Sequence, residues 1–135
     1  MATKVFINLP VKNLDNSKQF FQDLGFSFNP LFTDEKAGCM VVSESIFVML
    51  LTENYFKTFI DKEICDARLS TEVLIALDAE SADEVKQFVT KAESLGGTIY
   101  APAKDHGFMY QHSFADLDGH KWEIAYVDMS QFTQS

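Results

Sequence analysis

"SADEVKQFVTKAESLGG", residues 81–97, decides how the chain is read, because a close counterpart stands near its beginning. Ser81 and Glu84 have the spacing of a capping box. Val85, Phe88, Val89, Ala92 and Leu95 fall on one helical face, and Gly96-Gly97 supplies the stop. The counterpart, "NLDNSKQFFQDLGF" at 13–26, follows the same plan, with a polar start, Phe20, Phe21 and Leu24 at helical spacing, and Gly25 as terminator. Both helices carry Lys-Gln-Phe at matching positions.

Outward from these helices, the flanking segments repeat as well. "KVFINLPV" (4–11) alternates and is rich in β-formers, so it reads as a strand, and three more are expected at 27–32, 38–43 and 46–52. In the second half "TEVLIALD" (71–78) precedes the helix, and "GTIYAP", "FMYQHSFAD" and "KWEIAYVD" follow it. The last two are joined by a turn carrying Asp118-Gly119. Each half therefore runs strand, helix, strand, strand, strand. The expected fold class is α+β: two βαβββ modules, 4–52 and 71–128, within one domain spanning 1–135. Residues 53–70 form the connector, in which Tyr55, Phe56, Phe59 and Ile60 have the spacing of a short amphipathic helix.

A chain of 135 residues is long enough for one real core, and 13 Phe against one Trp suggest a Phe-rich interior or an apolar cavity. The net charge of −9 opposes binding to a phosphate backbone or an anionic membrane face, so neither nucleic acid nor membrane is an expected partner. "MATKVFINLP" has no apolar run of signal-peptide length, and no segment reaches membrane-spanning length. Cys39 and Cys65 lie far apart without a CxxC pattern, which fits free thiols in a reducing cytoplasm.

Strand alternation assigns faces. In "KWEIAYV" the large apolar Trp122, Ile124 and Tyr126 share one face, leaving Glu123 and Ala125 on the other. Val5, Ile7, Leu9 and Val11 form a helix-side row, so that Phe6 and Asn8 point the opposite way. Val73, Ile75 and Leu77 belong under the second helix, which turns Glu72, Leu74 and Ala76 outward from it.

Two stretches carry a family resemblance. "INLPVKNLDNSKQFFQDLGF" resembles the opening signature of the vicinal-oxygen-chelate superfamily, which includes glyoxalase I, extradiol dioxygenases, fosfomycin-resistance enzymes and bleomycin-resistance proteins. "FADLDGHKWEI" resembles the closing motif of the same group. The resemblance covers about residues 4–128 and implies two modules forming a half-open sheet around one small-molecule pocket, in a homodimer. It also implies divalent-metal ligands on the first and last strands of each module, usually His or Gln and Glu, then His and Glu.

Carried over position by position, the first-strand ligand falls on Phe6, its counterpart in the second module on Glu72, and the closing ligand on Glu123. The last strand of the first module offers Val48 or Met49. The family histidines are thus absent, leaving Glu72 and Glu123 as the expected catalytic or metal-ligating pair. Phe6, Asn8, Met49, Leu74, Tyr110, His112 and Phe114 are the expected pocket lining. His112 either pairs with Glu123 across neighbouring strands or bonds a core partner. A divalent metal held by two carboxylates without imidazole would be weakly bound. Two readings follow. One is a lyase or isomerase of lactoylglutathione-lyase type, with a pocket carboxylate as general acid/base. The other is a metal-free protein that sequesters an aromatic or cationic small molecule.

Overall fold

The computed structural model describes residues 1–132. It divides into two compact units, Met1–Cys65 and a second beginning at Asp66, so the boundary falls within the connector.

The first unit comprises β1 (Val5–Val11), α1 (Leu14–Leu24), β2 (Ser27–Phe28), β3 (Ala37–Val41), β4 (Ile46–Thr52) and the short α2 (Glu53–Lys57). The second comprises β5 (Leu74–Asp78), α3 (Ala82–Ser94), β6 (Lys104–Asp105), β7 (Met109–Ala115) and β8 (Lys121–Val127). The two sheets have equivalent strand orders, β1-β4-β3-β2 and β5-β8-β7-β6. In each, the first strand runs parallel to the last and the remaining pairs are antiparallel. The duplicated α+β architecture expected from the repeated helices is the observed one.

Local chemistry explains the elements. The Asn13 side chain accepts from Asn16 N at 3.0 Å, capping α1, and Gly25 closes it at φ 124°. Ser81 accepts from Glu84 N at 3.0 Å, but the Glu84 carboxylate accepts from Glu80 N rather than from Ser81, so the capping box is displaced by one residue. α1 buries Leu14, Phe20, Phe21 and Leu24, and α3 buries Val85, Val89 and Ala92. Burying a side chain of this size contributes about 1.5–3 kcal/mol. Pro10 is tolerated in β1 because that strand has a ladder neighbour on one side only.

Several expected strands differ. The stretch predicted at 27–32 stops at Phe28, because Asn29 caps a 3-10 turn over Pro30–Phe32. "GTIYAP" contributes only a bridge between Thr98 and Ala115, and the edge strand lies later, at Lys104–Asp105. The strand expected from residue 71 begins at Leu74, and the connector helix ends at Lys57. Both cysteines are free, Cys39 buried and Cys65 exposed. No helix among the described residues is long and apolar enough to cross a membrane.

Candidate functional site

The β7–β8 hairpin fixes what surrounds Glu123. Its register pairs Ser113 with Glu123, Gln111 with Ala125, His112 with Ile124 and Phe114 with Trp122. Side chains alternate between faces, so Gln111, Ser113 and Glu123 share one face and Tyr110, His112 and Phe114 share the other. The second face lies under α3. Phe114 is 0% exposed, stacks on Trp122 at 6.4 Å and meets Phe88 of α3 at 6.0 Å. Tyr110 lies beneath the Lys86 ammonium of α3. The expectation that Tyr110, His112 and Phe114 line a wall with Glu123 is therefore corrected: they belong to the helix-covered side. His112 Nδ1 is buried there without a hydrogen-bond partner.

On its own face Glu123 is held at both oxygens. Tyr100 Oη donates to Oε2 at 2.8 Å and Gln111 Nε2 donates to Oε1 at 3.1 Å. Tyr100 is also hydrogen-bonded by the Ser113 side chain, and the Lys121 ammonium lies 4.6 Å from the centre of its ring. Burial holds the Tyr100 phenol above the ordinary tyrosine range; the Ser113 bond lowers it and the Glu123 carboxylate raises it further. Tyr100 is thus a neutral donor at physiological pH. It reaches this face because the Thr98–Ala115 bridge, with amide bonds of 2.7 and 2.9 Å, pins its segment beside β7.

Glu72 is not part of this group. It precedes β5 and is exposed, and the β5 residue paired with Glu123 is Ala76. Ala76 lies four residue steps beyond Glu72, about 13 Å of extended chain. The expected Glu72–Glu123 pair is accordingly corrected. The helix caps fix the equivalence between the two modules. Asn13 and Ser81 are equivalent positions 68 residues apart, and the same offset sets Phe6 opposite Leu74 and Asn8 opposite Ala76. Asn8 pairs with Met49 as Ala76 pairs with Glu123. Val48 is fully buried on the α1 side, which leaves Met49 as the equivalent of Glu123.

The four positions that the resemblance assigns to metal ligands are thus Phe6, Met49, Leu74 and Glu123. One of the four, Glu123, offers a hard donor. Among the described residues no group of three or more His, Cys, Asp or Glu is placed to hold a metal ion. This donor set does not fit the family metal.

In the first unit the corresponding face is apolar. Phe6, 52% exposed, stacks on its register partner Phe47 at 4.9 Å, with Met49 and Asn8 on the next rung. The Asn8 amide is turned back onto Phe6 O at 3.3 Å.

The closing motif itself is structural. Asp116 is buried and accepts from Asp118 N, His120 N and Trp122 Nε1, each at 3.0 Å. Burial pushes its carboxyl upward, opposed by His120 and the Trp122 bond.

Residues 3–43 match the family described as bleomycin resistance protein-like N-terminal. No curated protein sequence matches the chain significantly. Among solved structures, a hypothetical protein from S. aureus is 27% identical, with 93% of this chain and 94% of that chain covered and a TM-score of 0.80. A glyoxalase-related enzyme from Fulvimarina pelagi is 20% identical over 93% and 88%, TM-score 0.78. The fosfomycin resistance protein FosX from Listeria monocytogenes is 18% identical over 97% and 98%, TM-score 0.68. At these identities the last two speak for the fold alone.

Proposed function

We propose that this chain, whose residues 3–43 match a bleomycin resistance protein-like N-terminal family and whose fold is that of glyoxalase/bleomycin resistance/dioxygenase structures, is a metal-independent small-molecule binding protein of the drug-sequestering type, anchored on Glu123. The observation that supports this reading is the Tyr100–Glu123–Gln111 set. In it the carboxylate is oriented by its own module, while the other three ligand positions carry Phe6, Met49 and Leu74. A preorganised carboxylate beside an aromatic ring suits a ligand with a cationic or N–H donor group. The homodimer implied by the family resemblance belongs to the same proposal and is read by sedimentation.

One observation favours a second reading, a lyase or isomerase of lactoylglutathione-lyase type. Tyr100 Oη and Glu123 Oε2 are 2.8 Å apart, an acid and a base in contact. Without a metal electrophile this pair lacks the strongest stabilisation for an enediolate, so binding is the better-supported role.

The test is an amide NMR titration with benzyltrimethylammonium, alongside metal analysis of the purified protein. The expected result is shifts centred on Ala76, Tyr100, Gln111 and Glu123, unchanged by EDTA and abolished in Glu123→Gln. Trp122 fluorescence is not a suitable reporter, because that indole lies on the α3 side. Stoichiometric divalent metal that is lost in Glu123→Gln would replace the binding reading with the enzymatic one.

A further inference from the structure

Glu123 shares its face with one cation. Lys121 lies two residues away on β8 and is therefore on the same side, directed over the Tyr100 ring whose hydroxyl bonds Glu123. The two charges flank one phenol, and no Lys121–Glu123 ion pair is among those of the described residues. Asp78, paired with Ala125, extends the negative end of the same face. Alongside the charges, on the neighbouring strand, run Leu74 opposite Lys121 and Ala76 opposite Glu123. Leu74 is 59% exposed, a large apolar side chain left open to solvent beside the charges.

We propose that this face binds a zwitterion: a small aliphatic molecule with an anionic group at Lys121, a cationic amine at Glu123 and a hydrocarbon spacer on Leu74 and Ala76. The inference rests on the reading of Glu123 as a ligand anchor and gives that ligand a second, opposite charge. Tyr100 acts here as a positioning residue. Its ring keeps the ammonium and the carboxylate from neutralising each other, so both ends remain available to one ligand. An ordinary amine would satisfy Glu123 but leave Lys121 unused; an ordinary carboxylate would do the reverse and face repulsion from Glu123 and Asp78.

The experiment compares 4-aminobutyrate, butylamine and butyrate in amide NMR titrations of the full chain. The zwitterion is expected to bind about three- to fivefold more tightly than either singly charged analogue, the effect of one further exposed charge contact. Lys121→Gln is expected to bring 4-aminobutyrate down to the affinity of butylamine while leaving butylamine itself unweakened. Glu123→Gln is expected to weaken both amines. Equal affinities for 4-aminobutyrate and butylamine, insensitive to Lys121→Gln, would overturn the zwitterion while leaving Glu123 as an anchor. If no amine moves the resonances of Ala76, Tyr100, Gln111 and Ser113, both the zwitterion and the anchor are refuted.

Discussion

Asp116 is the acid on which the second module's hairpin depends, and removing it should cost more than removing any acid on the surface. Its side chain holds three donors at 3.0 Å: the amides of Asp118 and His120 in the turn, and the indole of Trp122 in β8. A hydrogen bond to a charged group contributes about 1.5–3 kcal/mol net, and a buried donor left without a partner costs about 1–3 kcal/mol. Trp122 is 1% exposed, so its N–H finds no water when the carboxylate goes, whereas Asp118 and His120 are only half-buried residues. Asp116→Ala is therefore expected to destabilise by about 3–5 kcal/mol, and Trp122→Phe by about 1.5–3 kcal/mol. The two losses overlap in one bond, so a double-mutant cycle should give a coupling of about 1.5–3 kcal/mol. Urea unfolding followed by far-UV circular dichroism supplies all four free energies. The pH dependence adds a sign. The folded state holds the Asp116 proton more tightly than the unfolded chain does, because burial raises its carboxyl. That contribution to stability is complete below the ordinary aspartate range and is lost as pH rises through the folded value. Asp116→Asn should remove this slope. A coupling under about 0.5 kcal/mol would mean that the Asp116 carboxylate and the Trp122 indole do not share a stabilising bond.

The Tyr100 phenol should ionise above the ordinary tyrosine range, read as tyrosinate absorbance against a Tyr100→Phe reference; Glu123→Gln should lower it and Ser113→Ala should raise it further. The face assignment predicts unequal costs for two phenylalanines. Phe114→Ala should lose about 3–5 kcal/mol in urea unfolding, and Phe6→Ala, at an exposed site, less than about 1 kcal/mol. Similar costs for both would place Phe114 off the core.

The repeated architecture was legible because helix caps and stops are local. Asn13, Ser81, Gly25 and Gly96 announce the helices within a few residues, and the shared Lys-Gln-Phe ties the two together. The β8 faces were legible too, since Trp122 and Ile124 alternate cleanly with Glu123. What alternation alone does not supply is register. Whether Ser113 or His112 stands opposite Glu123 depends on where the ladder closes around the Asp116–His120 turn, and a one-residue slip exchanges the faces. Of the two alternatives for His112, the pairing with Glu123 would require such a slip, because the ladder sets His112 opposite Ile124. Glu72 lies off the face for a related reason: the strand-to-helix spacing, fixed by the caps, makes Leu74 the equivalent of Phe6. Tyr100 carried no local signal, because it lies 23 residues from Glu123 and reaches it only through the Thr98–Ala115 bridge. Gln111 and Ser113 had a signal in their alternation with Phe114, but one usable only once the hairpin register is known.

The proline in β1 bears on how the chain behaves when crowded. A bare sheet margin is a template onto which another polypeptide can zip, and an imino acid within it interrupts the template. The margin formed by Leu74–Asp78 has no such interruption and begins with an exposed leucine. Aggregation by sheet extension should therefore start at β5, and a proline or lysine placed there is the substitution to choose when solubility limits work on this protein.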